Sequence, residues 1–256
     1  MAGMGLQCLS RDAQMAPGDC AARKGSRDEM WDKEPVTQVI ARRLQDMIRS
    51  GELKVGDRLP SQRILSEQLN VSRPSLREAL LTLETLGLVQ TLPARGTFVR
   101  DPASRPAQTV WRYDAAHDLR DVFQTRLLIE GEICALASTA ITPETLGTLH
   151  AAAGTFRDAW QRGDLVAHVE ADLALHRGIA EACPNRMLAD VYANMRHLLS
   201  ETQRQPIPNT DPERMLQSIE EHRAIIAALE DRDPEAARRY MQQHIRNTAR
   251  CAGHDV

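Results

Sequence analysis

The sequence predicts a mainly α protein in two parts: a small head of short helices closed by a β-hairpin, then a larger half built of helices throughout. Three observations carry this. Leu, Ala, Arg and Glu dominate and aromatic residues are only 4% of the chain, a balance that favours helices over sheets. Apolar residues recur at helical spacing from Val36 onward, interrupted once by two short extended pieces around a Pro/Gly turn. The 256 residues suffice for two modest domains with proper cores.

The elements follow in order. Residues 1–33 are rich in Gly, Ser, Asp and Arg without apolar period and read as a disordered tail. Met30, just before the organised sequence, is an alternative start. Residues 34–100 form the head. Val36, Val39, Ile40, Leu44, Met47 and Ile48 share one helix face, and Gly51 stops that helix. A turn-rich connector reaches Pro60. Ser61 caps a short helix to about Leu69, Asn70-Val71 make a turn, and Ser72 caps a third helix that ends before Gly87. Leu88–Leu92 and Thr97–Arg100 are extended pieces joined by the tip Pro93-Ala-Arg-Gly96. Residues 101–116, with Pro102 and Pro106, are a linker.

Residues 117–250 are a helical series. Breaks fall at Thr142-Pro143, Gly163, Pro184-Asn185, the Pro206/Pro208/Pro212 stretch, and Asp231-Arg-Asp233-Pro234, where Asp233 is a good cap. Ser218 and Glu221 have capping-box spacing but sit inside a longer helical pattern. There are no internal repeats.

No apolar run reaches the roughly 18 residues of a membrane span, and the N-terminus lacks the build of a signal peptide. The five cysteines are scattered, with no CxxC pair, which argues against a disulfide framework and for a cytoplasmic protein. Charge is uneven. Residues 34–100 hold 10 Lys/Arg against 7 Asp/Glu, residues 101–256 hold 17 against 23, and residues 1–33 balance. A mildly basic head on an acidic body fits a polyanion partner for the head.

The head has the parts of a winged helix-turn-helix. In the third helix Leu76, Ala79, Leu80, Leu83 and Leu86 make a buried stripe, while Arg73 and Arg77 stand one turn apart off that stripe. Ser72 and Ser75 lie at its N-terminal end, the end that meets base edges in the major groove. Arg pairs bidentately with guanine, and hydroxyls suit phosphates or bases. Arg63 opens the preceding helix, and Arg95 with Gly96 forms the hairpin tip, where glycine permits close approach to a groove.

These residues carry a resemblance. Leu59-Pro-Ser-Gln-Arg-Ile-Leu-Ser-Glu-Gln-Leu69, Val71-Ser-Arg-Pro-Ser-Leu-Arg-Glu-Ala-Leu80, Leu86-Gly-Leu88 and Arg95-Gly-Thr-Phe-Val99 resemble the winged-helix head of the GntR family of bacterial regulators. Pro-Ser-Gln-Arg departs mildly from the commoner Pro-Ser-Glu-Arg. The resemblance implies operator DNA as partner, touched by Arg63, Arg73, Arg77 and Gly96.

In the helical half Asp172 and His176 are spaced i, i+4, a carboxylate and an imidazole on one helix face. His222 lies 10 residues before Arg232 and His244 12 after it, so an antiparallel hairpin about that turn brings both level at roughly 15–18 Å from it. One carboxylate and three imidazoles suit Zn²⁺, Ni²⁺ or Mn²⁺. Spacing alone does not decide for a metal, because Asp-x-x-x-His pairs are common. His168, one turn before Asp172, is at most a supporting residue.

A second resemblance bears on that choice. Arg126-Leu-Leu-Ile-Glu130, Asp172-Leu-Ala-Leu-His176, Asn185, Glu221-His222-Arg-Ala-Ile225 and Gln243-His244-Ile245 look like the FCD ligand-binding domain that accompanies GntR heads in the FadR subfamily. Leu175 stands where a Phe is usual. The resemblance implies an all-helical antiparallel bundle in which Asp172, His176, His222 and His244 hold a divalent metal, Zn²⁺ first among candidates, and a small carboxylate effector reaches the metal and Arg126. A guanidinium fork beside a metal is a strong carboxylate clamp; a buried pair with Glu130 is the other reading of Arg126. The expectation is a homodimeric, ligand-responsive transcription factor, a repressor released by its effector, and no enzyme. A metal-dependent enzyme using the same Asp/His centre is the alternative, although no general base is evident beside the four ligands.

Overall fold

The computed structural model describes residues 36–101 and 116–256, and Val36–Val256 form one compact unit. The expected tail at 1–33 and all but the ends of the expected linker lie outside the described residues.

The head begins with α1 (Val36–Arg49), then α2 (Gln62–Leu69) and α3 (Arg73–Thr85), followed by β1 (Val89–Leu92) and β2 (Gly96–Val99). The caps are those the sequence signals. Ser61 accepts from the Ile64 amide and Ser72 from the Ser75 amide, each satisfying a donor that the helix start leaves open. Asn70 ends α2 in the left-handed region at φ 53, where its short side chain is tolerated.

The two strands are antiparallel, with Val89 opposite Val99 and Leu92 opposite Gly96. A third short stretch joins them where the sequence suggests only a connector. The Val99 amide donates to Asp57, and the amides of Gly56 and Leu59 donate to Val99 and Thr97, all at 2.8–2.9 Å. Gly96 is required at its position: φ is +111, and a Cβ would stand 2.7 Å from Arg58 Nε.

The second half is six helices: α4 (Leu119–Ala140), α5 (Pro143–Gln161), α6 (Leu165–Glu181), α7 (Arg186–Arg204), α8 (Pro212–Glu230) and α9 (Pro234–Cys251), with a 3₁₀ turn at Ile207–Asn209. Asp118, Thr142, Asp164, Asn185, Asp211 and Asp233 cap all six through their side chains. Ser218 and Glu221 lie within α8, whose cap is Asp211; their spacing signals no start. Helix α4 lies chiefly against α9, and α5 against α6. Their buried faces, including Phe123, Ile133, Leu175, Ile179, Ile225 and Ile245, make one apolar core.

The head is not a separate bead. Its core of Ile40, Leu44, Leu76, Leu83, Val89 and Val99 continues into Val166 and Val169 of α6 and Ile207. At this joint Gln45, fully buried on α1, donates to Asp164 Oδ1 at 2.6 Å and accepts from the Val166 amide at 2.9 Å. The same Asp164 oxygen caps α6 by accepting from Ala167. One side chain of the head is therefore fastened to the N-terminus of α6.

Candidate metal centre and nucleic-acid interface

Arg73 and Arg77 stand exposed on the first turns of α3 while Leu76, Ala79, Leu80 and Leu83 on the opposite face are buried. The Ser72 and Ser75 hydroxyls pair with each other at 2.8 Å at the helix start. Arg63, on α2, is exposed and pairs with Glu67 one turn on, at 3.1 Å. Arg95 is exposed on the hairpin tip, its guanidinium 6.0 Å from the centre of the Phe98 ring. The structure thus presents all of the sequence-identified arginines of the head to solvent.

The other constellation is buried. Asp172 and His176 come from α6, His222 from α8 and His244 from α9. One ligand atom from each lies within 4.8 Å of the rest. The hairpin arithmetic explains how: α8 and α9 meet at a tight turn with Arg232 at φ 52, and the rings of His222 and His244 end 4.7 Å apart. Ligands at about 2.1 Å from a tetrahedral ion stand about 3.4 Å apart, so binding would draw the most widely separated donors together by on the order of 1 Å.

The donors themselves fit a cation. Asp172 Oδ1, His176 Nε2 and both ring nitrogens of His222 are buried without a hydrogen-bond partner. Such groups are costly unless something satisfies them. His222 Nε2 lies 3.1 Å and His176 Nε2 3.7 Å from Asp172 Oδ1, near enough to share one ion.

Two of the imidazoles are oriented from behind. His176 Nδ1 donates to Glu130 Oε2 at 2.6 Å and His244 Nδ1 to Glu221 Oε2 at 2.8 Å. A carboxylate can only accept, so each fixes its ring's proton at Nδ1 and turns the Nε2 lone pair inward. An arginine then holds each glutamate. Arg126 Nε donates to Glu130 at 2.6 Å and Arg126 Nη1 to Thr202 at 2.9 Å. Arg214 grips Glu221 with two hydrogen bonds of 3.0 and 3.1 Å.

The protonation states follow from these contacts. Burial pushes the Glu130 carboxyl up, but Arg126 and His176 outweigh it and hold it down at about 2. Glu221 is likewise brought to about 2, burial being outweighed by His244, Arg214 and Asn247. Asp172 is pushed up by burial and drawn far below the usual carboxylate range by His222, His176 and His244. Burial lowers His244 to about 4 against the pull of Glu221. At neutral pH the centre offers one carboxylate and an unprotonated His244.

A cavity of about 400 Å³, its open mouth included, borders the centre on the side of Asp172 and His244; His168, Gln203, Arg214 and Phe156 also line it. Arg126 is only 1% exposed and is not among the lining residues. Its guanidinium faces Glu130 and Thr202.

Sequence reasoning missed Glu221 as a partner of His244, Arg214 altogether, and the joint at Gln45. Glu130 was visible only as a neighbour of Arg126. A Glu directly before a His gives no sign in one dimension, since adjacent helical residues point about 100° apart.

Comparison with known proteins identifies the two halves of the chain. Residues 36–99 match the family described as bacterial regulatory proteins, gntR family, and residues 121–247 match the FCD domain. The Exu regulon transcriptional regulator of Escherichia coli (strain K12) is 31% identical over 235 residues, 86% of this chain and 85% of that protein. The Glc operon transcriptional activator of the same organism is 28% identical over 234 residues, 88% of this chain and 91% of that protein. These relatives are regulators of transcription, not enzymes.

Proposed function

The chain belongs to the GntR family of bacterial regulatory proteins and carries an FCD domain, and from that premise we propose that it is a repressor released by a small carboxylate metabolite bound at a divalent metal. That it is a ligand-responsive transcriptional regulator follows from the family. The finer reading rests on one observation: four buried donors from three helices, three of them with unpartnered atoms, beside a cavity that opens to solvent.

In this reading Asp172, His176, His222 and His244 hold the ion, with Zn²⁺ first and Ni²⁺ or Mn²⁺ as alternatives. The ion, when bound, supplies a Lewis-acidic site for an effector carboxylate. Glu130 and Glu221 aim two imidazoles, and Arg126 reaches the effector by way of Glu130 and His176. Arg63, Arg73, Arg77, Arg95 and Gly96 meet operator DNA, with Ser72 and Ser75 at the helix end that enters the groove. A homodimer places two such heads on a two-fold operator.

The path between the two sites is short. Helix α6 carries Asp172 and His176, and its cap Asp164 holds Gln45 of the head. An effector that draws α6 toward the metal acts on that joint, and it shifts the head only through unequal affinity for the two arrangements.

The experiment uses a duplex selected from random sequence by the protein itself. Zn²⁺-loaded protein should lose affinity for this duplex as a binding carboxylate is added, by about 5–150-fold, and His222→Ala should not respond. A carboxylate that raises the melting temperature yet leaves duplex affinity unchanged counts against release.

A further inference from the structure

The wing holds an arginine that the sequence leaves in a connector. The amides of Gly56 and Leu59 donate to Val99 and Thr97, and the Val99 amide donates to Asp57. Residues 56–59 thus lie along β2, with Arg58 bridged opposite Phe98. Side chains alternate across an extended stretch. Leu59, Thr97 and Val99 are buried toward the core of the head, which leaves Arg58, Phe98 and Gly96 on the outer face. Arg58 is exposed there and Phe98 is half-buried.

The bare Cα of Gly96 is the seat of the Arg58 guanidinium. A Cβ at Gly96 would meet Arg58 Nε at 2.7 Å, Nη2 at 3.2 Å and Cζ at 3.4 Å. The missing side chain therefore makes room for a guanidinium at the hairpin. Arg95 is its neighbour on the turn, 6.0 Å from the centre of the Phe98 ring.

This guanidinium is uncommitted. Arg63 pairs with Glu67 and Arg49 with Asp46, whereas Arg58 has no carboxylate at ion-pair distance among the described residues. The adjacent Asp57 carboxylate accepts from the Lys54 amide at 2.8 Å. An unpaired planar fork matches the oxygens of a phosphate. Its placement says which part of DNA it meets. Groups that read bases project past a tip into the groove, and Arg95 is on the turn itself. The Arg58 guanidinium lies flat on the outer face behind the turn. A groove turns its walls, not its floor, toward that face, and the walls are phosphate.

We infer that Arg58 is a further DNA-contacting residue, gripping a backbone phosphate beside the wing. It adds affinity on any sequence and discriminates among none. Gly96 serves the DNA by seating it. The inference rests on the reading above that the wing meets operator DNA.

The test is binding of the intact chain to the selected duplex and to an unrelated duplex of equal length, by fluorescence anisotropy, from about 50 to 200 mM salt. Arg58→Ala should reduce the steepness of log K against log salt by about 0.9 for each head bound. It should weaken both duplexes alike, by about 3–8-fold per head near 0.1 M salt, and leave their ratio unchanged. Arg58→Lys keeps the charge without the fork and should keep the steepness. Both variants should melt with the unaltered chain, because the residue is exposed. Unchanged steepness in Arg58→Ala, a loss confined to the selected duplex, or an equal loss in Arg58→Lys with a lowered melting temperature overturns the inference. Arg95→Ala separates it from the reading beneath it. If Arg95→Ala weakens binding and Arg58→Ala does not, only the inference fails; if neither does, the wing reading fails with it.

Discussion

Arg77 in the head and Arg126 in the helical half are the same side chain in opposite surroundings. Arg77 is exposed on a helix whose other face is core, and Arg126 is 1% exposed against Glu130. The first is free to meet a partner outside the protein, where charge and donor geometry act directly. The second acts through Glu130 on His176, so its effect is orientation. The head therefore keeps its chemistry on the surface and its structure beneath, whereas the sensor buries its chemistry inside the structure. Damage to the head should alter binding and spare stability. Damage to the sensor should alter both.

The largest expected effect breaks that contrast on the sensor side. Glu130→Ala leaves the Arg126 guanidinium buried with only Thr202, and we expect a loss of about 3–5 kcal/mol in urea unfolding. The double variant Arg126→Met, Glu130→Leu removes both charges. It should regain most of that stability, yet bind metal about 10–100-fold more weakly because His176 Nδ1 has lost its acceptor. A Glu130→Ala loss under about 0.5 kcal/mol, the size of an ordinary surface change, would deny the buried relay.

Acid should act next, through groups of the sensor. His244 titrates near 6.5 when unfolded and near 4 in the metal-free fold. The unfolded chain takes up that proton first, so stability falls as pH drops from about 6.5 to about 4. Glu130 goes from 4.5 to about 2; its contribution is complete above about 4.5 and is lost between there and about pH 2. Each is worth about 3 kcal/mol. Thermal melts of metal-free protein should therefore decline continuously below pH 6.5, and His244→Phe should flatten the upper part. A melting temperature constant from pH 7 to 4.5 would contradict this.

The head gives the smaller effect. Arg73→Ala and Arg77→Ala should change stability by less than about 0.5 kcal/mol and weaken binding to the selected duplex by about 1–3 kcal/mol. Loss of stability without loss of duplex affinity would invert the comparison.

The same contrast explains what the sequence discloses. Surface function leaves a linear record: capped helices, a stripe and arginines off the stripe occur in order along residues 36–99, and the structure puts each where the spacing implies. The Asp/His cluster was half legible. Asp172 and His176 announce themselves at i, i+4, and the Asp231–Asp233 turn lets His222 and His244 be counted level. What stands behind the ligands was not legible, because Glu130 reaches His176 across 46 residues and Gln45 reaches Asp164 across 119. Those pairings exist only once α4, α6 and α1 pack. The strand-like stretch Gly56–Leu59 was hidden for a local reason: with Gly56, Asp57 and Arg58 it has no alternating apolar pattern.

The most direct test of the metal centre is a titration of chelator-stripped protein with Zn²⁺, read by elemental analysis after gel filtration and by circular dichroism. The account predicts one ion retained per chain and none in His222→Ala, with helix content the same in both. Retention by His222→Ala equal to that of the unaltered protein, or no retention by the folded unaltered protein, would contradict it.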